Sequence, residues 1–550
     1  DQRLWVVRPR EAPQPLTPAP ATPRADRYAD PAISPDGRWV VCVHEHHGAD
    51  GVDNDLVAIA LEAPDPPRQV AAGHDFFGAP RLSPDGTRLA WVTWDHPDMP
   101  WDHSQLWVAD FGSDGQIGEP APVAGAPGES VTQPRWSPAG GLHYVSDRTG
   151  WWNLYDEAGT ALCPLAAEFG RPDWVFGNCT YGFRPDGQLV AAWADRDGDH
   201  LGLIADGEAE PRPLPFSKYE DVQPVEGAVI ALVASPTAPA AVVRHDLERG
   251  QTLVLRRSRE VPIEVDAISV PEAVAFPTGE GETAHALLYP PRHPEMVGPA
   301  GERPPLIVMS HGGPTSQTAA VFNLAVQYWT SRGFAVADVD YRGSSGYGTA
   351  YRRRLNGAWG LVDVEDCAAV VGWLAAQGRA DGRRAVIRGG SAGGFTTLAA
   401  LAFTDTFAAG ASLYGVADLE LLARDTHKFE SRYLDGLVGP WPEAAEEYQR
   451  RSPIHHVEQI TCPLILFQGL EDAVVPPAQS QLMFDALRER GVPVAYLAFE
   501  GEQHGFRQAA TIVAVAEAEL AFYGRVLGFT PDGGAAALDI ANEARLSPLA

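Results

Sequence analysis

The run Gly389-Gly390-Ser391-Ala392-Gly393-Gly394 sets a serine among small residues, after an apolar stretch at 385–388 and before the helix former Thr397-Leu398-Ala399-Ala400-Leu401. A strand that turns tightly into a helix through glycines exposes the central hydroxyl, the G-x-S-x-G arrangement of an activated serine. A serine hydroxyl is a weak nucleophile at neutral pH, so it needs a base, and the base needs an orienting carboxylate. Both residue types follow, each at the end of an apolar run. Residues 464–467 lead into Gln468-Gly469-Leu470-Glu471-Asp472, and residues 494–499 lead into Glu500-Gly501-Glu502-Gln503-His504-Gly505-Phe506. Ser391 is thus the expected nucleophile, His504 the general base and then acid, and Asp472 the orienter, all just past strand ends where open parallel sheets assemble their sites. Glu471 is the rival orienter; adjacent residues point differently, so only one of the two faces the imidazole. Activity is expected to fall at acid pH, because an imidazolium cannot accept the serine proton and a histidine ordinarily titrates at about 6.5. This chemistry calls for no metal and no cofactor.

A tetrahedral intermediate also needs N–H donors for its oxyanion. Ser310-His311-Gly312-Gly313-Pro314 follows the apolar run 306–309, and its glycines allow a backbone N–H to approach the reacting carbonyl. The expected donors are the N–H groups of Gly313 and Ala392, unless the glycines form a plain Gly-Pro turn. A third glycine-rich loop, Tyr341-Arg342-Gly343-Ser344-Ser345-Gly346-Tyr347-Gly348, either shapes the substrate pocket through Tyr341 and Arg342 or only turns the chain. It lacks the lysine of a phosphate-binding loop.

The elements that must position these residues are legible from 261 onward, where apolar runs at 306–309, 334–339, 385–388, 464–467 and 494–499 alternate with helical patterns. That texture predicts a mainly parallel sheet covered by helices on both faces. One helix presents Val364, Cys367, Ala368, Val371 and Leu374 on a single face; another, near 510–527, is expected to present Val513, Ala516, Leu520, Tyr523 and Leu527. The Gly/Ala-rich tail from Thr530 is expected to pack loosely.

The first half repeats. Ser34-Pro35-Asp36-Gly37, Ser83-Pro84-Asp85-Gly86, Ser137-Pro138-Ala139-Gly140 and Arg184-Pro185-Asp186-Gly187 place their prolines 49, 54 and 47 residues apart. Each is a tight turn entering a strand, and a unit of about 50 residues with several short strands is the signature of a propeller blade. Five to six blades are expected across residues 1–260. The run Asp1 to Val7 reads as the closing strand of a blade whose beginning is absent, so either the ring starts mid-blade or it is truncated at its N-terminus. Trp151 and Trp152 either pack between blades or line a pocket.

The chain has 550 residues, enough for several domains, and its 45% apolar and 21% charged content is that of a folded globular protein. With 42 basic and 72 acidic residues the formal charge is −30, which repels nucleic acid and anionic lipid surfaces. No apolar run approaches the roughly 20 residues that span a bilayer. Five cysteines without CxxC spacing suit free thiols in a reducing compartment, hence a cytoplasmic location. The opening Asp1 suggests a trimmed N-terminus.

Through the repeated turns, His311-Gly312-Gly313-Pro314, Tyr341 to Gly348, Gly389 to Gly394, Gly469 to Pro476 and Glu502 to Phe506, the chain resembles the prolyl oligopeptidase family of serine peptidases, in its acylaminoacyl-peptidase and dipeptidyl-peptidase-like branches. The resemblance implies a β-propeller over residues 1–260 capping an α/β-hydrolase catalytic domain over residues 261–550, with the site in a cavity between them and access limited to short peptides. Relatives have seven or eight blades, more than are counted here. In dipeptidyl-peptidase relatives, acidic propeller side chains hold the free peptide amine; Glu168 and Asp173 are the local candidates, and a solvated loop charge is the alternative for each. Glu446 and Glu447 read as surface. The implied activity is an aminopeptidase or acylaminoacyl peptidase acting on a short peptide or aminoacyl amide. The alternatives are a dipeptidyl peptidase, an oligo-endopeptidase, a carboxylesterase using the same triad, and a non-catalytic scaffold; a homo-oligomer is compatible with the sequence.

Overall fold

The computed structural model describes residues 1–49, 51–62, 66–532, 534 and 537–549. The chain divides into two compact units: Asp1–Ala234 with Ala240–Ser258 and Gly346–Thr349, and Ser235–Pro239 with Arg259–Ser345 and Ala350–Ala550.

In the first unit, among the described residues, five antiparallel sheets of three or four strands open with Asp26–Ile33, Phe76–Leu82, Val131–Trp136, Tyr181–Phe183 and Lys218–Val225. The repeated turns explain the period. Ser34 Oγ donates to Asp36 Oδ1 at 2.6 Å and accepts from Trp39 N–H at 2.9 Å, and Ser83 repeats this with Asp85 and Arg88 at the same distances. Gly37 and Gly86 close these turns at φ of 70° and 73°, where a side chain would be strained. Trp39 to Val43 is apolar and buried at every position: Trp39, Val41 and Val43 face the second sheet, and Val40 and Cys42 pack with Leu4 and Leu16 of the N-terminal segment. Trp39, Val41 and Leu56 of the first sheet share a cluster with Phe77, Leu89 and Trp91 of the second, and Val190 and Leu201 of the fourth share one with Tyr219 and Val229 of the fifth. The expected closing strand at the start of the chain differs: only Trp5–Val6 is extended, and it pairs with Gln14–Pro15 in a two-stranded sheet of its own. Two residues on each side cannot complete a four-stranded sheet.

The second unit is built on eight strands: β1 (Glu272–Pro277), β2 (Thr283–Tyr289), β3 (Pro305–Ser310), β4 (Ala335–Asp340), β5 (Asp381–Gly390), β6 (Ala409–Leu413), β7 (Leu464–Gly469) and β8 (Val494–Phe499). They lie in the order β1-β2-β4-β3-β5-β6-β7-β8, with β2 antiparallel to its neighbours β1 and β4 and the remaining pairs parallel. Helices α1 (Leu324–Thr330), α2 (Val362–Ala376), α3 (Ala392–Phe403) and α4 (Ala478–Arg490) lie between strands, and α5 (Ala509–Leu527) follows β8. Ile307, Val336, Val386, Ala411, Ile465 and Phe467 of the sheet pack with Val515, Phe522 and Val526 of α5. Full burial of one such side chain contributes about 1.5–3 kcal/mol. Strand β6, Ala-Gly-Ala-Ser-Leu, is fully buried yet has no apolar run. Its residues are small because α3 lies close: a Cβ on Gly410 would sit 2.7 Å from the Leu401 side chain.

The face expected for α5 is rotated. Val513 is 53% exposed, while Val515, Ala518 and Phe522 are buried with Leu520, Tyr523 and Leu527. Alanines all round this helix leave its phase undetermined by pattern, and packing on the sheet sets it. The tail is also better ordered than expected. Ile540 joins the core, Ala541 bridges Val494, and Leu549 N–H donates to Val526 O at 3.0 Å; within that tail Gly533, Ala535, Ala536 and Ala550 lie outside the described residues. Among the described residues, no helix is long and apolar enough to cross a membrane.

Candidate active site

Ser391 stands between β5 and α3 at φ 57° and ψ −122°, a strained backbone that only tight surroundings maintain. A Cβ on Gly389 would lie 2.3 Å from the Gly393 carbonyl oxygen, and one on Gly393 would lie 2.2 Å from that of Ser310. Glycine is therefore required on both sides of the serine, and the turn is pinned where Ser391 N–H donates to Leu413 O at 3.0 Å. Ser391 Oγ lies 2.9 Å from His504 Nε2, and His504 Nδ1 lies 2.8 Å from Asp472 Oδ2. The Asp472 side chain is fully buried at the end of β7, where its Oδ1 accepts the N–H groups of Val474 and Val475 at 2.9 Å each. With Asp472 as acceptor, His504 Nδ1–H donates to it, leaving the Nε2 lone pair for the serine proton. Glu471, the rival orienter, is exposed. The loop after β8 that carries His504 is braced by Glu502, whose carboxylate accepts the N–H groups of Arg507 and Gln508 at 2.9 Å each. Tyr414 stacks edge-on against the imidazole at 4.9 Å, and Phe506 stacks on Tyr414 at 5.2 Å.

Beside the serine runs the loop after β3. A Cβ on Gly312 would come 3.7 Å from that of Ser391. Gly313 adopts φ 124°, a conformation suited to glycine, and among the described residues neither its N–H nor that of Ala392 at the start of α3 meets a protein acceptor. The two expected oxyanion donors are thus uncommitted. His311 fixes the loop from beneath: its Nδ1–H donates to Gly312 O at 2.8 Å and its Nε2 accepts from Ser344 Oγ at 2.7 Å. Burial holds its pKa down to about 4, so the ring is neutral. Tyr341 stacks on that ring at 4.4 Å and donates to Pro314 O at 2.9 Å.

Four residues singled out for substrate contact are occupied otherwise. Tyr341 is wholly buried and its hydroxyl is spent on the Pro314 carbonyl. Arg342 is buried against α2, where Asp366 accepts from its Nε at 3.0 Å and Glu365 pairs with its Nη2; it fastens the loop rather than facing a ligand. Glu168 is buried in the first unit, accepting the N–H groups of Trp152 at 2.9 Å and Gly348 at 3.0 Å. Asp173 accepts from Asn178 Nδ2 at 2.6 Å and from the Thr132 hydroxyl, and burial raises its pKa. Neither carboxylate is a solvated loop charge. Trp152 is buried with its Nε1–H on Ser130 Oγ, the packing role. Glu447 pairs with Arg450 and Arg451 along its own helix, on the surface as expected.

One carboxylate escapes sequence reasoning. Glu430, in the one-turn helix Lys428–Glu430, lies 3.7 Å from His427 Nε2 and close enough to His504 for their charges to interact; burial raises its pKa. Nothing in the local pattern connects residue 430 with residue 504, and only the fold brings them together.

A parallel sheet in this strand order, with a serine, a histidine and an aspartate linked at its strand ends, defines a serine-hydrolase type of catalytic unit. Residues 320–530 match the model of the prolyl oligopeptidase family. A solved puromycin-hydrolyzing peptidase of Mycobacterium tuberculosis is 42% identical, with 98% of this chain and 85% of that chain covered and a TM-score of 0.94. Dipeptidyl aminopeptidase BIII of Pseudoxanthomonas mexicana is 30% identical over half of this chain, and an acylamino-acid-releasing enzyme of Arabidopsis thaliana is 32% identical over 37% of it. These matches span only 41% and 28% of the two curated relatives. The chain belongs to the prolyl oligopeptidase family.

Proposed function

We propose that this chain is a serine peptidase that releases an amino acid from a short peptide or an aminoacyl amide through an acyl-enzyme. The hydrogen-bonded chain from Ser391 Oγ to His504 at 2.9 Å and on to Asp472 at 2.8 Å carries the reading. Ser391 Oγ attacks the scissile carbonyl carbon as its proton moves to His504 Nε2, and the N–H groups of Gly313 and Ala392 receive the oxyanion. The intermediate collapses when Nε2–H protonates the leaving amine; water, deprotonated by the same nitrogen, then attacks the ester and frees the serine. Residues 261–550 form the catalytic domain in this reading. The shared cores of successive sheets favour a propeller over residues 1–260, and free cysteines suit a reducing cytoplasm.

A free substrate amine suits the site better than a blocked one. Glu168 and Asp173 are committed elsewhere, whereas Glu430 offers a carboxylate near His504. Labelling by a fluorophosphonate probe tests the nucleophile: the native protein should react and Ser391→Ala should not, and equal labelling of both defeats the assignment. An aminoacyl anilide and its N-acetylated twin test the amine. A hydrogen bond to a charged group is worth about 1.5–3 kcal/mol, so Glu430→Gln should lower kcat/KM for the free-amine anilide by about ten- to a hundredfold and spare the acetylated one. Equal turnover of the twins by the native enzyme rules out amine recognition, and turnover of esters far above amides would favour an esterase.

A further inference from the structure

In the first sheet of the first unit, strand Trp39–His47 pairs antiparallel with Asp26–Ile33, placing His46 opposite Asp26 and His44 opposite Tyr28. Residues two apart on a strand share a face, so both imidazoles turn toward the same carboxylate. His44 Nε2 lies 3.2 Å and His46 Nδ1 2.7 Å from one oxygen, Asp26 Oδ1, and the three ligand atoms fall within 4.8 Å of one another. Behind His44, its Nδ1 lies 2.9 Å from Asp55 Oδ1, and Asp55 Oδ2 accepts from Gln69 Nε2 at 2.6 Å. Tyr28 stacks on the His44 ring at 4.9 Å and fixes its plane.

The proton count in this arrangement is unusual. A neutral imidazole carries one N–H. If His44 Nδ1–H donates to Asp55, the Nε2 lone pair points at the Asp26 carboxylate and repels it. Something positive must stand between Nε2 and Asp26, either a second proton or a metal ion. A second proton would satisfy His44, with His46 Nδ1–H as a separate donor to the same oxygen; a single cation would take the place of both protons. A cation bound by Nε2 of His44, Nδ1 of His46 and a carboxylate oxygen of Asp26 accounts for all three. Asp55 then completes the carboxylate–histidine–metal arrangement that orients a metal-binding ring and raises its basicity.

We propose that Asp26, His44 and His46 form a binding site for a zinc-class divalent cation, with Asp55 as the supporting carboxylate behind His44. Two imidazole nitrogens select against calcium and magnesium, which take oxygen ligands. Three protein ligands leave a fourth tetrahedral position for water, and the His46 side chain, 48% exposed, leaves that position open to solvent. The ion would tie strand Asp26–Ile33 to its neighbour and stabilise only the folded sheet.

Isothermal titration of Zn²⁺ into the chelator-stripped full chain at pH 7.5 tests this. One ion per chain is expected, with the melting temperature rising as zinc is added. His46→Ala, at a half-exposed position where folding should survive and can be checked by circular dichroism, should weaken binding at least tenfold and abolish the thermal shift. Asp55→Asn, which removes no ligand, should weaken binding by about 10–100-fold. Absence of saturable binding by the native chain, or undiminished affinity in both variants, overturns the proposal. Hydrolytic activity does not enter this readout, so the result stands apart from the fate of the peptidase reading.

Discussion

Replacing Asp472 by asparagine probes the relay most sharply, because the surroundings dictate how the amide must sit. Oδ1 of Asp472 accepts two backbone N–H groups, from Val474 and Val475, at 2.9 Å each. An amide nitrogen there would confront two donors, so in Asp472→Asn the amide oxygen keeps that position and the NH₂ turns toward His504 Nδ1. That nitrogen must then accept, which drives the ring proton to Nε2 and aims N–H at Ser391 Oγ, 2.9 Å away. A base already protonated on that nitrogen cannot take the serine proton. The expected loss is about ten-thousand-fold in kcat, some 5 kcal/mol of barrier, with little change in KM. Glu471→Gln, one residue away and exposed, should stay within about twofold of the native rate, since surface substitutions disturb little. Steady-state kinetics on an aminoacyl anilide, with fluorophosphonate labelling as a second measure of serine reactivity, decides the matter. A loss below tenfold for Asp472→Asn, or comparable losses for the two variants, refutes the tautomer argument.

Other consequences follow from the same geometry. Arg342→Ala leaves Asp366, whose side chain is fully buried, without its cation; removing one partner of a buried pair costs about 3–5 kcal/mol, readable as a lowered denaturation midpoint, and an unchanged midpoint contradicts the anchoring role. His311 is held neutral with a pKa of about 4, whereas an unfolded histidine titrates near 6.5. The unfolded chain therefore takes up this proton first as the pH falls, so stability present above about pH 6.5 is lost on the way down to about 4. The gap is worth ~3 kcal/mol, and His311→Gln should lose correspondingly less than the native protein between pH 7 and pH 4.5 in chemical denaturation. Chelation should leave kcat unchanged, since the relay runs through side-chain oxygen and nitrogen alone; a chelator-sensitive kcat would require a different mechanism.

Much of the site is local and therefore legible along the chain. A nucleophile turn needs glycines within two residues of the serine, so Gly389, Ser391 and Gly393 announce themselves, and Asp472 and His504 each follow an apolar run that a parallel sheet buries. The repeated Ser-Pro-Asp-Gly turns are equally local, since Ser34 and Asp36 satisfy one another two residues apart. Pattern fails where a residue's neighbours come from elsewhere. Strand β6 lacks apolar bulk because α3 crosses it, α5 is rotated because alanine fits either face, and Glu168 and Asp173 look like loop charges until donors such as Gly348 and Thr132 arrive from elsewhere in the chain.

The sequence by itself determined which residues have reactive chemistry and the order in which strand ends present them, because turn geometry and hydrophobic burial are written over short spans. Tertiary structure alone decided which of two adjacent acids faces His504, that His311 is neutral, that Arg342 is an anchor, and that Glu430 lies near the imidazole and Asp26 beside two others. Each of these depends on distance and desolvation between residues far apart in the chain, and no local pattern encodes those quantities.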